Sequence, residues 1–119
     1  MIDPGLDELT TQIASVLHTS APRSDLSTMR LIAKFSPTGD AAKHDYEYRD
    51  ALGRELCELP AAAARDDIYR LTRRHWQRTQ DVGQARWYKM DVTVQREGRF
   101  AVEFAYDDGY VEGDVLRRG

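Results

Sequence analysis

Polar and apolar residues alternate along this chain with two different periods. Leu6, Leu9, Ile13, Val16 and Leu17 fall on one face of a 3.6-residue repeat, which predicts an amphipathic helix near the start of the sequence. Asp3 is placed to cap it, and Pro4 to occupy its first position, where a missing N–H costs nothing. Residues 20–24, with Pro22 among them, end it. The period then changes to two. Met29, Leu31, Ala33 and Phe35 alternate with Arg30, Ile32 and Lys34. Turn-forming Pro37, Thr38, Gly39 and Asp40 follow, and then His44, Tyr46 and Tyr48 alternate with Asp45, Glu47 and Arg49. This is the pattern of a β-hairpin. Residues 53–59 predict a short third strand, reached through a turn at 50–53.

A second helix is expected from about Pro60, because Ala61, Ala62, Ala63 and Ala64 are strong helix formers. Ala64, Ile68, Leu71 and His75 share one of its faces, Tyr69 and Trp76 flank that face, and Arg70, Arg73, Arg74 and Arg78 form the polar side. The last hairpin has the strongest pattern. Tyr88, Met90, Val92 and Val94 predict one strand face, and Trp87, Lys89, Asp91, Thr93 and Gln95 the other. Glu97 and Gly98 fit a tight turn with a left-handed glycine. Phe100, Val102, Phe104 and Tyr106 then alternate with Arg99, Ala101, Glu103 and Ala105.

These elements predict a single domain over residues 1–119 of the α+β class. Its antiparallel sheet has four to five strands, with two helices packed on one face. The expected core holds Leu9, Ile13, Leu31, Phe35, Ile68, Leu71, Val92, Val94, Phe100, Val102 and Phe104. A one-residue slip in the last strand would bury Glu103 and expose two phenylalanines, so Phe104 is expected to point inward.

Composition narrows the function. The chain of 119 residues is 41% hydrophobic and 31% charged, enough apolar mass for one core. Its formal net charge of -3 argues against a general nucleic-acid binder. The one cysteine, Cys57, makes no internal disulfide, and no stretch has the apolar length of a membrane span. The first residues carry neither a basic region nor an apolar one. A cytoplasmic protein with no membrane attachment is expected.

Catalytic patterns are weak. Cys57 lies in Arg-Glu-Leu-Cys-Glu-Leu-Pro, between glutamates that would raise its pKa, so a dyad with His44 or His75 is not expected. His18, His44 and His75 have no metal-ligand spacing, and Asp107, Asp108, Glu112 and Asp114 lack the order of a calcium loop. No phosphate-binding glycine motif occurs. Arg65, Arg70, Arg73, Arg74 and Arg78 make a basic helix face, but Asp66 and Asp67 interrupt it, so direct nucleic-acid binding is not expected. Neither catalytic residue, metal nor cofactor is expected. Two alternatives remain: a small metal-dependent hydrolase using the C-terminal acids, and a nucleic-acid-binding adaptor using the second helix.

What is left is surface. Trp87, Asp91, Thr93 and Glu103 lie on the polar face expected for the final hairpin, and an acidic, aromatic stretch follows it. Residues 87–108, Trp-Tyr-Lys-Met-Asp-Val-Thr-Val-Gln-Arg-Glu-Gly-Arg-Phe-Ala-Val-Glu-Phe-Ala-Tyr-Asp-Asp, resemble the signature of the YezG-type immunity proteins. In that signature a Trp-containing strand and a glycine turn lead to a strand that ends Phe-x-Tyr-Asp-Asp, here Phe104 to Asp108. The N-terminal helix, the strand 29–35 and the tyrosine-rich strand 44–48 follow in the same order as in that family. The arginine-rich second helix and the alanines before it depart from its pattern. The resemblance implies an antitoxin of polymorphic or contact-dependent growth inhibition toxins. Such a protein acts by stoichiometric contact with the toxin's C-terminal domain, commonly a nuclease. Charge complementarity to such a basic partner then points to Glu103, Tyr106, Asp107, Asp108, Tyr110, Glu112 and Asp114 as toxin-binding residues.

Overall fold

The computed structural model describes residues 5–83 and 85–106. Helix α1 (Leu6–Thr19) leads into strands β1 (Leu26–Phe35), β2 (Ala42–Asp50) and β3 (Glu55–Leu56). Helix α2 (Ala62–Asp81) follows, and strands β4 (Lys89–Gln95) and β5 (Phe100–Ala105) form the last hairpin. All five strands join one sheet in the order β3-β2-β1-β4-β5, and every neighbouring pair is antiparallel. The fold is therefore the α+β arrangement that the alternating patterns predict. The third strand is shorter than expected: only Glu55 and Leu56 pair with β2.

One face of the sheet makes the core. Met29, Leu31, Ala33 and Phe35 from β1, Tyr48 from β2, and Met90, Val92 and Val94 from β4 are all buried beneath the helices. Helix α1 adds Leu9, Ile13, Ala14 and Leu17, and α2 adds Ile68 and Trp76. The register of the last hairpin is the expected one, with Val92 opposite Val102 and Met90 opposite Phe104. Phe100, Val102 and Phe104 pack against the core but stay partly open, because β5 lies at the sheet edge. Leu71 is likewise only half-buried.

Three local expectations change. Helix α1 begins at Leu6 with Gly5 as its N-cap and no capping side chain; Asp3 and Pro4 lie outside the described residues. Trp87, assigned by alternation to the polar strand face, is 1% exposed. It precedes β4, so the strand period does not reach it. The buried stripe of α2 is Ile68, Thr72, His75, Trp76 and Thr79, while Tyr69 is exposed and Ala64 only half-buried. Polar Thr72, His75 and Thr79 are tolerated there because each has a partner. Thr72 and Thr79 donate to the carbonyls of Tyr69 and Trp76, and His75 accepts from the Trp87 indole.

The β1–β2 turn is fixed by close approach. Gly39 has φ +81, and a Cβ there would stand 2.9 Å from two ring carbons of Trp76. Gly53 has a similar φ of +83, but no atom lies within 4 Å of a Cβ built there. Gly53→Ala should therefore lose about 1 kcal/mol, from left-handed backbone strain alone. Gly39→Ala adds a clash and should lose about 2–4 kcal/mol. Urea unfolding of both variants measures the difference, and equal losses would contradict the packing of Trp76 under the turn.

Candidate functional site: the open face of the sheet

Both helices lie on one side, so no helix or strand among the described residues covers the opposite face of the sheet. Residues directly across an antiparallel ladder share a face, and the register sorts the charges into rows. Asp45, Ile32, Asp91 and Glu103 form one row across four strands. The next row, two residues along each strand, is Lys43, Lys34, Lys89 and Ala105. On the other side of the acidic row stand Glu47, Arg30, Thr93 and Ala101. A band holding three carboxylates thus runs beside a band of three lysines. Like charges placed directly opposite repel, so the alternation of the bands compensates what each band costs.

Arg30 organises the acidic end. Its Nε and one terminal nitrogen donate to the two oxygens of Asp91 at 3.0 and 2.7 Å, and the other terminal nitrogen donates to Glu47 Oε1 at 3.1 Å. This is the bidentate fork that guanidinium and carboxylate geometry favours. Hydrogen bonding to Asp91 is the largest influence on the guanidinium and holds its pKa above its ordinary value. Around this group lies a shallow concavity of about 400 Å³ whose charged lining is Arg30, Arg49, Glu47, Asp91 and Glu103. Three carboxylates face two guanidiniums there, Arg30 and Arg49, and the one-charge acidic excess suits a cationic side chain from a partner.

The structure divides the residues expected to bind a toxin. Glu103 is exposed on the open face, opposite Asp91. Tyr106 is 50% exposed and lies on the helix side, where its ring is 6.1 Å from that of Phe104. An odd spacing of three residues along an extended chain puts the two side chains on opposite faces. Asp107, Asp108, Tyr110, Glu112 and Asp114 lie outside the described residues. The lysine band was not legible in the sequence, since it requires the pairing of β1 with both β2 and β4.

The arginine face of α2 lines a groove of about 780 Å³ shared with α1, with Arg70, Arg73 and Arg74 in its wall. On α2, Arg70 pairs with Asp67, and Arg73 bonds the Tyr69 hydroxyl and the Gly39 carbonyl while lying over the Phe35 ring. Arg65 and Arg74 stand exposed. Cys57 is exposed, and neither His44 nor His75 bonds to it. Among the described residues no three His, Cys, Asp or Glu side chains are grouped to hold a metal ion.

His44 and His75 are both held neutral. Burial lowers each pKa from 6.5 to about 4. His44 Nε2 pairs with the Thr72 hydroxyl at 2.7 Å, and that hydroxyl itself donates to the Tyr69 carbonyl, so Nε2 carries the hydrogen. Below pH 6.5 the unfolded chain takes up protons that the folded chain refuses until about pH 4. Stability should therefore fall across that window. The nearly fully buried His75 contributes a loss of about 3 kcal/mol. Chemical unfolding at pH 7 and pH 4.5 measures the slope, and His75→Gln, which keeps an acceptor for the indole, should flatten it. A slope unchanged by that substitution would show that His75 is not kept neutral by the fold.

Arg30 and Glu103 should behave differently on substitution. The Asp91 side chain is only 13% exposed, so Arg30→Met leaves it without its partner and should lose about 2–3 kcal/mol. Exposed Glu103→Gln should change stability by less than about 0.5 kcal/mol. Unfolding midpoints check both, and equal effects would mean that Arg30 is no more than a surface charge.

No helix among the described residues is long and apolar enough to cross a membrane. No protein-family model matches the chain, and neither does any curated protein.

Proposed function

We propose that this protein is an antitoxin of the YezG immunity type. On this reading it is a cytoplasmic, non-catalytic partner that neutralises a bacterial toxin domain by one-to-one contact. The observation that carries the proposal is the sheet face that no described element covers. Its acidic band lies beside the Arg30 cluster and contains Glu103, on the strand that leads into the acidic segment with Asp107 and Asp108. A nuclease toxin presents a positive groove to its substrate, and opposed fields of this kind speed encounter and fix orientation. The C-terminal resemblance to the immunity family, Trp87 to Asp108, supports the same reading from the sequence.

The test uses the toxin domain encoded next to this gene. The two proteins should copurify as a one-to-one complex, and the antitoxin should protect cells that express the toxin. Glu103→Lys and the double replacement Asp107→Asn with Asp108→Asn should each weaken the complex about tenfold or more and reduce its salt dependence. Their melting points should stay within a few degrees of the parent. Failure of the neighbouring protein to bind would overturn the antitoxin reading. Binding with unchanged affinity and salt dependence in both variants would place the interface elsewhere.

A further inference from the structure

A second candidate site lies on the opposite, helix-covered side of the sheet and does not depend on the antitoxin reading. There a cavity of about 480 Å³ opens between the first turn of α1, the last turns of α2 and the end of β5. His75 lines it and is 2% exposed. Its Nδ1 accepts the Trp87 indole hydrogen at 3.0 Å, so the neutral ring carries its own hydrogen on Nε2. Among the described residues nothing accepts that hydrogen.

The first turn of α1 adds further donors. The helix starts at Gly5 without a capping side chain, so the N–H groups of Leu6, Asp7 and Glu8 have no acceptor within the helix. The cavity wall is apolar where β5 ends. Phe104 stacks on His75 with ring centroids 5.3 Å apart, and Tyr106 stands half-exposed at the rim with Leu6 and Val82 nearby. Among the described lining residues one carboxylate faces these donors, that of Asp7, whose charge is felt by His75.

This mixture selects a ligand class. A carboxylate would satisfy His75 and the helix N–H groups but meet the charge of Asp7. A cation would suit Asp7 but meet the His75 N–H. An amide both accepts and donates. We propose that this cavity binds an uncharged amide bearing an apolar or aromatic side chain, the unit that an extended peptide presents. Its carbonyl oxygen takes the His75 Nε2 hydrogen and faces the first-turn N–H groups of α1, its N–H donates to Asp7, and its side chain packs on Phe104 and Tyr106.

The probe is N-acetylphenylalaninamide, titrated into the isotope-labelled full chain and followed by NMR, with 3-phenylpropanoate as the charged counterpart. The amide should give saturable shifts at the backbone amides of residues 6–8 and at the Trp87 indole, with a Kd in roughly the millimolar range. The carboxylate should bind about fivefold more weakly. Asp7→Ala, an exposed position, should weaken the amide and strengthen the carboxylate, reversing their order. Tyr106→Ala should weaken both probes without moving the melting point. No saturable shift at about 20 mM amide, a concentration well above the expected Kd, would overturn the proposal. So would a carboxylate that binds as tightly as the amide, or an order of affinities unchanged by Asp7→Ala.

Discussion

The structure depends on a pair of indole hydrogen bonds, one to a backbone carbonyl and one to an imidazole. Trp76 Nε1 donates to the carbonyl of Trp87 at 2.9 Å, and Trp87 Nε1 donates to His75 Nδ1 at 3.0 Å. Two bonds in opposite directions tie the middle of α2 to the residue that leads into β4. Phe35, at the end of β1, stacks on Trp76 and meets Trp87 edge-on, each at 5.4 Å between centroids. The largest side chains of the core thus come from three separate segments. A tryptophan buries far more apolar area than any aliphatic residue, provided its N–H is satisfied. Here each indole supplies or receives what the other segment needs, so the aromatic burial carries no unpaired polar atom on either ring.

Concentrating the aromatic mass on one side leaves the other side of the sheet to charge. Its rows of acids and lysines are compensated by one another and by the Arg30 fork rather than by a covering layer. Such a surface keeps the protein dispersed in water and still presents a patterned field. The field is directional, since the acidic row and the lysine row lie side by side. A partner with the opposite banding would find one orientation better than the reverse, and charge complementarity gives orientation more readily than affinity.

The order of elements, both hairpins and the inward register of Phe104 were legible because each follows from a local period of two or 3.6. Trp87 was misread because the period was extended back past the start of β4, where the chain no longer alternates. Thr72 and Thr79 were missed in another way, whereas His75 was placed on the buried face. Polar residues enter a core when specific partners accept or supply their hydrogens, and hydropathy carries no information about partners. Glu103 and Tyr106 look like neighbours in the sequence, yet the pleat sends them to opposite sides of the sheet. The charge bands were invisible for a deeper reason. Lys34, Lys43 and Lys89 become adjacent only through pairing between distant segments, and nothing in the neighbourhood of any one of them announces the other two.

The strand order also bears on how the chain is made. β1 lies at the centre of the sheet and has more buried residues than any other strand, with five such positions. Its second partner, β4, follows only after β2, β3 and α2. During synthesis, which delivers the N-terminal segments first, β1 can complete one ladder early through its hairpin with β2. Its other edge stays unpaired until residues 89–95 have left the ribosome. Through that interval the strand that most needs covering is the one that must wait longest. Truncated or stalled chains lacking the last hairpin would expose the ready-made template for misassembly that the finished sheet keeps in its middle.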